Sequence, residues 1–405
     1  MSCESGSVTR AARLLTSILT LQLAACAATP VPPAEPPPTP PADSIPASVP
    51  ELVEAVAVAA PPTEPDRSEM RISIAAVGDM MIGTDYPNNH LPDDDGVSFL
   101  QDAAPVISAA DIAIGNLEGV LMDGGQPGKK CSNPKACYLF RSPTRYANHY
   151  KVAGFDLMSL ANNHARDFGE EGRSSSMAAL AEHGIQHSGR AWTAAILQSD
   201  DHSVAYLAYA VTKNSNMLLD YELAFLWIAA HAEFHDIVIV TFHGGAEGVD
   251  VTHVPFAEEE YYGEPRGDVV YFARGAVDAG ADLVIGHGPH VVRGMERYKD
   301  RLIAYSLGNF ATYYGISVAG IKGIAPILSA TLDGNGVFIE GQITSTIQLR
   351  PAGPSIDERQ RALKLIRGLS IEDFGDPGLS FESDGRVLAT ERSPVEAHQL
   401  VIAPD

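Results

Sequence analysis

The sequence predicts an α/β domain in which layered β-sheets are flanked by helices. Five short apolar runs each end at small or polar residues. They are continuous and aliphatic or β-branched, which is typical of strands buried on both faces. Helix-like stretches alternate with the later runs, and this alternation predicts an α/β layered fold. The runs cover residues 72–77, 110–114, 155–160, 236–242 and 282–285.

The connecting stretches predict the remaining elements in order. Helices are expected at about 171–183, 219–233 and 267–279, and one more at 355–369. Strands are expected at 302–307, 327–332 and 337–343, and Asp333-Gly334-Asn335-Gly336 predicts a hairpin turn between the last two. We expect a catalytic-type domain at 67–350 and a C-terminal extension at 351–405.

Composition excludes some classes of function. Apolar residues make up 45% of the 405 residues, which is enough to bury a substantial core. The formal net charge is −23, which leaves no basic surface for nucleic acid. Such acidity suits a protein that gathers cations, although it also serves solubility alone.

The N-terminus predicts export and lipid anchoring. Arg10 and Arg13 precede an apolar stretch, Leu14 to Ala25, that is too short to span a bilayer. Small residues lead directly into Cys26, as in a bacterial lipoprotein signal. We therefore expect residues 1–25 to be removed and Cys26 to be lipidated. The alternative is an ordinary signal peptide in which Cys26 is incidental.

The segment that follows, 26–66, is proline-rich and predicts an extended tether. The expected location is the bacterial cell envelope on its extracytoplasmic side, facing the periplasm at the outer membrane in a Gram-negative cell. In that oxidising compartment, Cys131 and Cys137 are expected to form a local disulfide.

Metal-competent side chains follow the five apolar runs. In open α/β sheets, ligand sites form at the carboxyl ends of strands, so these side chains are expected at one edge. Carboxylate, amide and imidazole ligands together suit Zn, Mn or Fe at a hydrolytic centre. Each residue alone fits a turn or a solvated loop, but all of them together favour a metal site. They are Asp79, Glu118, Asn163, His164, His243, His287 and His290.

The order of the motifs resembles a known family. Gly-Asp, Asn-x-Glu, Asn-Asn-His-x-x-Asp, His-Gly-Gly-x-Glu, Gly-His-x-x-His and Ser-Leu-Gly-Asn-Phe follow one another across residues 72–312. This order is similar to that of CapA-type proteins of poly-γ-glutamate capsule biosynthesis, which are placed among calcineurin-like metallophosphoesterases. The resemblance implies a calcineurin-like fold with one or two divalent ions.

The resemblance also implies roles for residues. Asp79 and His290 would hold one metal, and Glu118 would take the carboxylate position that often bridges two. The second site would consist of Asn163, His243 and His287. The implied catalytic pair is His164, as a general acid or a clamp on developing charge, and Asp167 of the same motif. The residues implied to line the pocket or orient ligands are Asn116, Glu247, Ser306 and Asn309.

This chain departs from the phosphoesterase pattern at the first motif. Ordinary members begin Asp-x-His, whereas Asp79 is followed by Met80 and Met81. One expected ligand is therefore missing, and Glu118 stands where aspartate is usual. For this reason phosphatase activity does not follow from the expected fold alone.

Two functions remain open from the sequence. The first is a metal-dependent envelope hydrolase that acts in poly-γ-glutamate synthesis or processing. The alternative is a non-catalytic, membrane-anchored component that binds or exports an anionic capsule polymer, with other capsule-synthesis subunits as partners. An acidic chain repels a polyanion, so that role needs bound metal or a local basic patch, for which the candidates are Lys129, Lys130, Lys135, Arg141 and Arg145.

Overall fold

The computed structural model describes residues 67–129, 138–198 and 202–390. The predicted signal, the tether, Cys26, Cys131 and Cys137 lie outside these ranges. The described strands are β1 (Arg71–Met81), β2 (Ile112–Leu117), β3 (Val120–Leu121), β4 (Arg141–Ser142), β5 (Leu157–Ser159), β6 (Gln186–Ser188), β7 (Ala195–Gln198), β8 (Ser203–Ala210), β9 (Asn216–Met217), β10 (Ile237–His243), β11 (Glu259–Tyr261), β12 (Glu264–Gly267), β13 (Leu283–His287), β14 (Met295–Tyr298), β15 (Arg301–Ala304), β16 (Asn309–Thr312), β17 (Ile324–Asp333), β18 (Phe338–Gln348), β19 (Pro354–Ile356), β20 (Leu379–Phe381) and β21 (Arg386–Ala389).

The helices lie between these strands. Those expected near 171–183, 219–233 and 267–279 are confirmed with small shifts at their ends. In the described residues the α-helices are α1 (Ala104–Ile107), α2 (Ala147–Val152), α3 (Gly169–Glu182), α4 (Tyr221–Ala232), α5 (Val269–Asp278) and α6 (Arg361–Phe374), and 3₁₀ turns cover Thr144–Tyr146 and Gly320–Gly323.

Two large sheets organise the chain. The first has the order β20-β21-β18-β17-β1-β2-β5-β6, with β16 beside the end of β1 and β19 beside β18. Within it β1, β2, β5 and β6 run parallel, whereas β17 and β18 are antiparallel. The second has the order β14-β15-β13-β10-β8-β7, and β8, β10, β13 and β15 run parallel.

The two sheets pack face to face. Ile74 and Ile114 of the first sheet share a buried cluster with Tyr206, Ile239 and Ile285 of the second. Helices α1, α2 and α3 cover the outer face of the first sheet, and α4 and α5 cover that of the second. The central strands are therefore buried on both faces, which explains their continuous apolar sequences. The predicted layered α/β architecture is confirmed.

The segment after residue 350 adds to the first sheet. Strands β19 and β21 both pair with β18, and α6 packs into the core between the sheets. The helix expected at 355–369 begins later, at Arg361, because residues 354–356 form β19 instead. The hairpin turn predicted after Leu332 is present, and Asp333 accepts hydrogen bonds from the backbone N–H groups of Asn335 and Val337.

The carboxyl ends of the parallel strands meet at one edge. In the first sheet, Asp79 is in register with Asn116 and Asn309. In the second, His243 is in register with His287. This register aligns the sequence-predicted ligands within each sheet, and the contact of His287 with Asp79 brings the two sets together.

Candidate metal centre

Asp79 lies at the centre of the site and joins the two sheets. It is completely buried near the end of β1, and its backbone N–H donates to Gly308 O at 2.9 Å. His290, three residues after β13 ends, lies with Nδ1 2.9 Å from Asp79 Oδ2. His287 Nδ1 lies 3.6 Å from Asp79 Oδ1. Asp79 therefore contacts both histidines of the Gly-His-x-x-His motif.

The amide of Asn116 connects the two buried carboxylates. Its Nδ2 donates to Asp79 Oδ1 at 2.8 Å and to Glu118 Oε2 at 2.7 Å. Asn162 Nδ2 in turn donates to Asn116 Oδ1 at 3.0 Å, which fixes the orientation of the amide. Asn162 was not predicted as a site residue, although it stands in the Asn-Asn-His run that drew attention to Asn163.

The buried charges perturb one another. Burial alone would raise the pKa of Asp79, but His287 and His290 beside it hold that pKa well below its usual range. Burial likewise raises the pKa of Glu118, and the charges of His243 and His164 outweigh it and bring the pKa to about 2. Burial lowers the pKa of His290, but its bond to Asp79 raises it to about 9. Both carboxylates are thus ionised at neutral pH, as metal ligands must be.

Several ligand atoms are buried with no hydrogen-bond partner among the described residues. They include both ring nitrogens of His243 and of His287, Glu118 Oε1 and Asn163 Oδ1. Unpaired polar atoms cost free energy when buried, so such a cluster calls for another binding partner. Ligand atoms of Asp79, Glu118 and His243 all lie within 4.8 Å of one another. Two carboxylates and an imidazole at this spacing fit a divalent metal ion.

His164 and Asp167 form a pair beside these ligands. His164 Nδ1 lies 2.8 Å from Asp167 Oδ2, which also accepts a hydrogen bond from the Phe140 N–H at 2.8 Å. The ring of Phe140 packs against His164 with centroids 4.3 Å apart. Lys129 Nζ lies 3.1 Å from Asn163 O and 3.4 Å from Asp167 Oδ1. The imidazole is therefore held at Nδ1, which leaves Nε2 for a proton transfer.

The residues predicted to support the site differ in their positions. Asn309 Oδ1 lies 3.0 Å from His290 Nδ1. Glu247 contacts His290 Nε2 at 3.8 Å and the buried Arg266 at 3.2 Å. Ser306 does not present its hydroxyl to the ligands, because Oγ donates to Val291 O and accepts from the Gly308 N–H. No motif in the sequence indicated that Arg266 would lie at the site.

The predicted basic patch is largely neutralised where the structure describes it. Arg141 pairs with Asp85 at 2.6 Å, and Arg145 pairs with Asp95 at 2.6 Å. Lys130 and Lys135 lie outside the described residues. Lys129 is likewise paired with Asp167 at 3.4 Å, so the three described members of the patch all face a carboxylate and offer little free positive charge to a polyanion.

With this geometry established, the family can be assigned. The family model "Bacterial capsule synthesis protein PGA_cap" matches residues 73–314, which is more than half of the chain. The chain belongs to this PGA_cap family. The match covers the second sheet, the parallel strands of the first sheet and every ligand described above, and it ends before β17.

Two capsule proteins show the same relationship in sequence. The PGA biosynthesis protein CapA of Bacillus subtilis (strain 168) is 28% identical over 258 residues, which are 59% of this chain and 63% of that protein. The capsule biosynthesis protein CapA of Bacillus anthracis is 26% identical over 276 residues, 60% of each chain. The match thus spans less than two thirds of these relatives. The resemblance to CapA-type proteins predicted from the motifs is confirmed.

Solved structures with a similar arrangement are distant. A Staphylococcus aureus protein described as a candidate 5'-nucleotidase overlaps 74% of this chain and 58% of its own, with 15% identity and a TM-score of 0.41. A purple acid phosphatase from yellow lupin overlaps 71% and 54%, with 10% identity and a TM-score of 0.34. At these scores no activity transfers from either protein.

Proposed function

We propose that this PGA_cap protein is a metal-dependent hydrolase of the cell envelope that acts in the synthesis or processing of a poly-γ-glutamate capsule. The observation that carries the proposal is the cluster of Asp79, Glu118 and His243, in which Glu118 Oε1 and both ring nitrogens of His243 are buried without a hydrogen bond. The nearest approach of His243 Nε2 to a carboxylate is 3.4 Å, to Glu118 Oε2. A purely structural cluster would pair these atoms with one another or with the backbone.

Asp79, Glu118 and His243 would hold the ion. His287, whose Nδ1 lies 3.6 Å from Asp79 Oδ1, and Asn163, whose Oδ1 is buried without a hydrogen bond, are the candidates to complete its coordination. Mn, Zn or Fe fits this mixture of ligands. When bound, such an ion lowers the pKa of a bound water and polarises a carbonyl or phosphoryl group. Asn116 keeps the two carboxylates in place through its two hydrogen bonds.

His164 would donate a proton to the leaving group. Asp167 fixes the ring through Nδ1, so Nε2 is the nitrogen that can donate a proton to a leaving group. Phe140 shields one side of the ring, and the side chain of His164 is only 10% exposed. Water is thereby largely kept from this contact, which strengthens the electrostatic effect of Asp167.

The link to the capsule rests on the family and on the names of its relatives, which include the two CapA proteins and a probable polyglutamine synthesis accessory protein of Mycobacterium tuberculosis. We infer that the substrate or bound polymer is γ-glutamyl material and that other capsule-synthesis subunits are partners.

No helix in the part of the chain that the structure describes is long and apolar enough to cross a membrane.

The test is a measurement of metal content and turnover on the purified protein. Bound metal is quantified by mass spectrometry, and phosphoester and γ-glutamyl panels are assayed with and without chelator. We expect bound metal and chelator-sensitive turnover in the wild type, and loss of both in His243→Ala. His253→Ala is the matched control, because His253 pairs with Asp373 on the surface instead.

Two results would change the proposal. If the wild type retains no more metal than His243→Ala, the proposed metal centre is refuted. If metal is retained but neither panel turns over, the chain is the non-catalytic component that binds or exports the polymer.

The envelope location is tested separately. In a bacterial host with lipoprotein processing, we expect the wild type to incorporate labelled palmitate and to sediment with membranes. Cys26→Ser should abolish both. Labelling that persists in Cys26→Ser would overturn the proposed anchor.

A further inference from the structure

The histidines around Asp79 differ in how their ring nitrogens are satisfied. Both ring nitrogens of His243 and of His287 are buried without a hydrogen-bond partner among the described residues. His290 Nδ1, in contrast, lies 2.9 Å from Asp79 Oδ2 and 3.0 Å from Asn309 Oδ1. Buried polar atoms are normally paired, so the first two rings call for a bound ion, whereas the protein itself satisfies Nδ1 of the third.

The orientation of the Asn309 amide shows which hydrogen-bonding role His290 has. Asn309 is completely buried. Its Nδ2 lies 3.2, 3.1 and 3.2 Å from the backbone oxygens of His290, Ser317 and Lys322. The opposite orientation would bring the amide oxygen against three carbonyl oxygens, so Oδ1 is the atom that faces the His290 ring. Nδ1 of His290 therefore lies between two oxygen acceptors and donates a hydrogen to them.

The second ring nitrogen of His290 has no set of ligands around it. Nε2 lies 3.8 Å from Glu247 Oε2. Within the described ranges, the group of three carboxylate and imidazole atoms close enough to share an ion is that of Asp79, Glu118 and His243. An ion at Nε2 would therefore have Glu247 beside it but no third such ligand among the described residues, and protein metal sites usually use at least three.

The first motif supplies no ligand on this side either. Met81 stands where the motif was expected to carry a histidine. Its side chain is 1% exposed and shares an apolar cluster with Phe140 and Ile316. The position therefore contributes apolar packing in place of an imidazole.

We propose that the centre holds a single ion and that His290 is a positioning residue, which fixes Asp79 by donating a hydrogen bond from Nδ1. The ion lies among Asp79, Glu118 and His243, on the side of the unpartnered atoms. This inference rests on the metal centre of the proposed function but not on its catalytic activity. It differs from the ligand role that the order of the motifs implies for His290.

The hydrogen bond from His290 has a partner on the same carboxylate. Asn116 Nδ2 donates to Asp79 Oδ1 at 2.8 Å, and His290 Nδ1 donates to Oδ2 at 2.9 Å. Each oxygen of Asp79 thus accepts one hydrogen bond, which holds the carboxylate in one orientation. Removing a donor that orients a metal ligand typically weakens metal affinity about 10- to 100-fold.

Metal stoichiometry is the first test. The purified full chain is stripped with chelator, dialysed and titrated with Mn and, separately, with Zn by isothermal titration calorimetry. Mass spectrometry quantifies the metal retained after dialysis. We expect one ion per chain at saturation. Electron paramagnetic resonance of the Mn-loaded protein should show an isolated ion and no coupled pair.

Two variants of His290 distinguish a positioning residue from a ligand. His290→Asn keeps an N–H donor on the atom next to Cγ, whereas His290→Asp offers a carboxylate ligand and no donor. The φ of His290 is +59°, which Asn and Asp both tolerate, so neither substitution strains the backbone.

The two roles predict opposite orders of affinity. For a positioning residue, we expect His290→Asn to bind metal within about 3-fold of the wild type and His290→Asp to lose about 10- to 100-fold. For a ligand, His290→Asp would bind metal more tightly than His290→Asn, because a carboxylate is the stronger ligand. His253→Asn and His253→Asp, at a half-exposed histidine paired with Asp373, should leave the affinity unchanged. Circular dichroism confirms that each variant is folded.

Two outcomes overturn the proposal. They are two ions per chain at saturation, and tighter metal binding by His290→Asp than by His290→Asn. Either result leaves the metal centre of the proposed function in place. If the wild type binds no ion, that metal centre itself is refuted, and the single-ion proposal is refuted with it.

Discussion

His164 Nδ1 lies 2.8 Å from Oδ2 of Asp167, a carboxylate from which solvent is fully excluded. The N–H of Phe140 holds the same oxygen at 2.8 Å, so the pair has little freedom to move. This arrangement would suit the proposed general acid and its orienting carboxylate. In the pair of His253 and Asp373, which is 2.6 Å long, the imidazole is 55% exposed instead.

Asp167→Asn is expected to lower kcat about 100-fold or more while metal content stays at the wild-type level, because the amide no longer stabilises an imidazolium. Steady-state kinetics with metal analysis measures both. The control is Asp373→Asn, which alters a His–Asp pair outside the site. A kcat at the wild-type level in Asp167→Asn would show that the pair of His164 and Asp167 takes no part in the proton transfer.

Metal binding is expected to stabilise the fold. An ion that binds only the folded state adds about 2.7 kcal/mol to the free energy of unfolding at 100 times its Kd. Chelator should therefore lower the Tm of the wild type by several degrees, and excess Mn or Zn should restore it. His287→Ala and His243→Ala should respond less to both, as measured by differential scanning calorimetry. If the Tm of both variants responds to chelator and metal as strongly as that of the wild type, the ion binds elsewhere.

The buried pair of Arg293 and Glu259 fixes the β11–β12 hairpin near the site. Two hydrogen bonds of 2.8 and 2.7 Å join them, and Arg293 is completely buried. Glu259→Gln leaves an uncompensated charge, so we expect a loss of about 3–5 kcal/mol in urea unfolding. Asp384→Asn, which breaks an exposed pair with Arg386, should change stability little. Equal effects of the two variants would contradict the prediction.

Asp357 gives a pH-dependent contribution at the start of α6. Hydrogen bonds from Arg361 lower its pKa to about 2, below the value of about 3.9 expected in the unfolded chain. The unfolded state therefore binds this proton first, so the contribution is complete above about pH 4 and is lost as the pH falls towards 2.

Asp357→Asn is expected to reduce the free energy of unfolding by about 1 kcal/mol at pH 7, because the amide loses the charge and one of the two oxygens that accept hydrogen bonds from the Arg361 guanidinium. Urea unfolding at pH 7, 5 and 3.5 measures the difference, which should shrink at the lowest pH. If the stability difference between the wild type and Asp357→Asn grows as the pH falls, the predicted direction of the pH dependence is wrong.

Gly78 allows β1 to approach the loop before β16. A Cβ at this position would lie 1.9 Å from Gly308 O, the oxygen that accepts from the Asp79 N–H. Gly78→Ala should cost about 1–3 kcal/mol and reduce metal retention, because it displaces Asp79. Gly368→Ala in α6 meets no atom within 4 Å and should stabilise the protein by about 0.5–1 kcal/mol. Normal metal content in Gly78→Ala would show that metal binding does not require the close approach of β1 to Gly308.

Much of the site could be predicted because its residues follow buried strands. The apolar run before Asp79 and the run before His243 predicted strands, and parallel strands bring their carboxyl ends to one edge. The same logic failed for Ser306, whose hydroxyl donates to Val291 O in the loop after β13 and not to a ligand. It also failed for Arg266, which reaches Glu247 from a hairpin that no periodic pattern indicated.

By itself, the sequence determined the strand order along the chain, the continuous apolar interior and the side chains available at the strand ends. Only the tertiary structure decided which atoms of those side chains meet. Asn116 and Asp79 are 37 residues apart, and His290 and Asp79 are 211 apart. Their hydrogen bonds depend on sheet register and on the packing of one sheet against the other. Neither leaves a local pattern in the sequence, because both arise from contacts between distant segments.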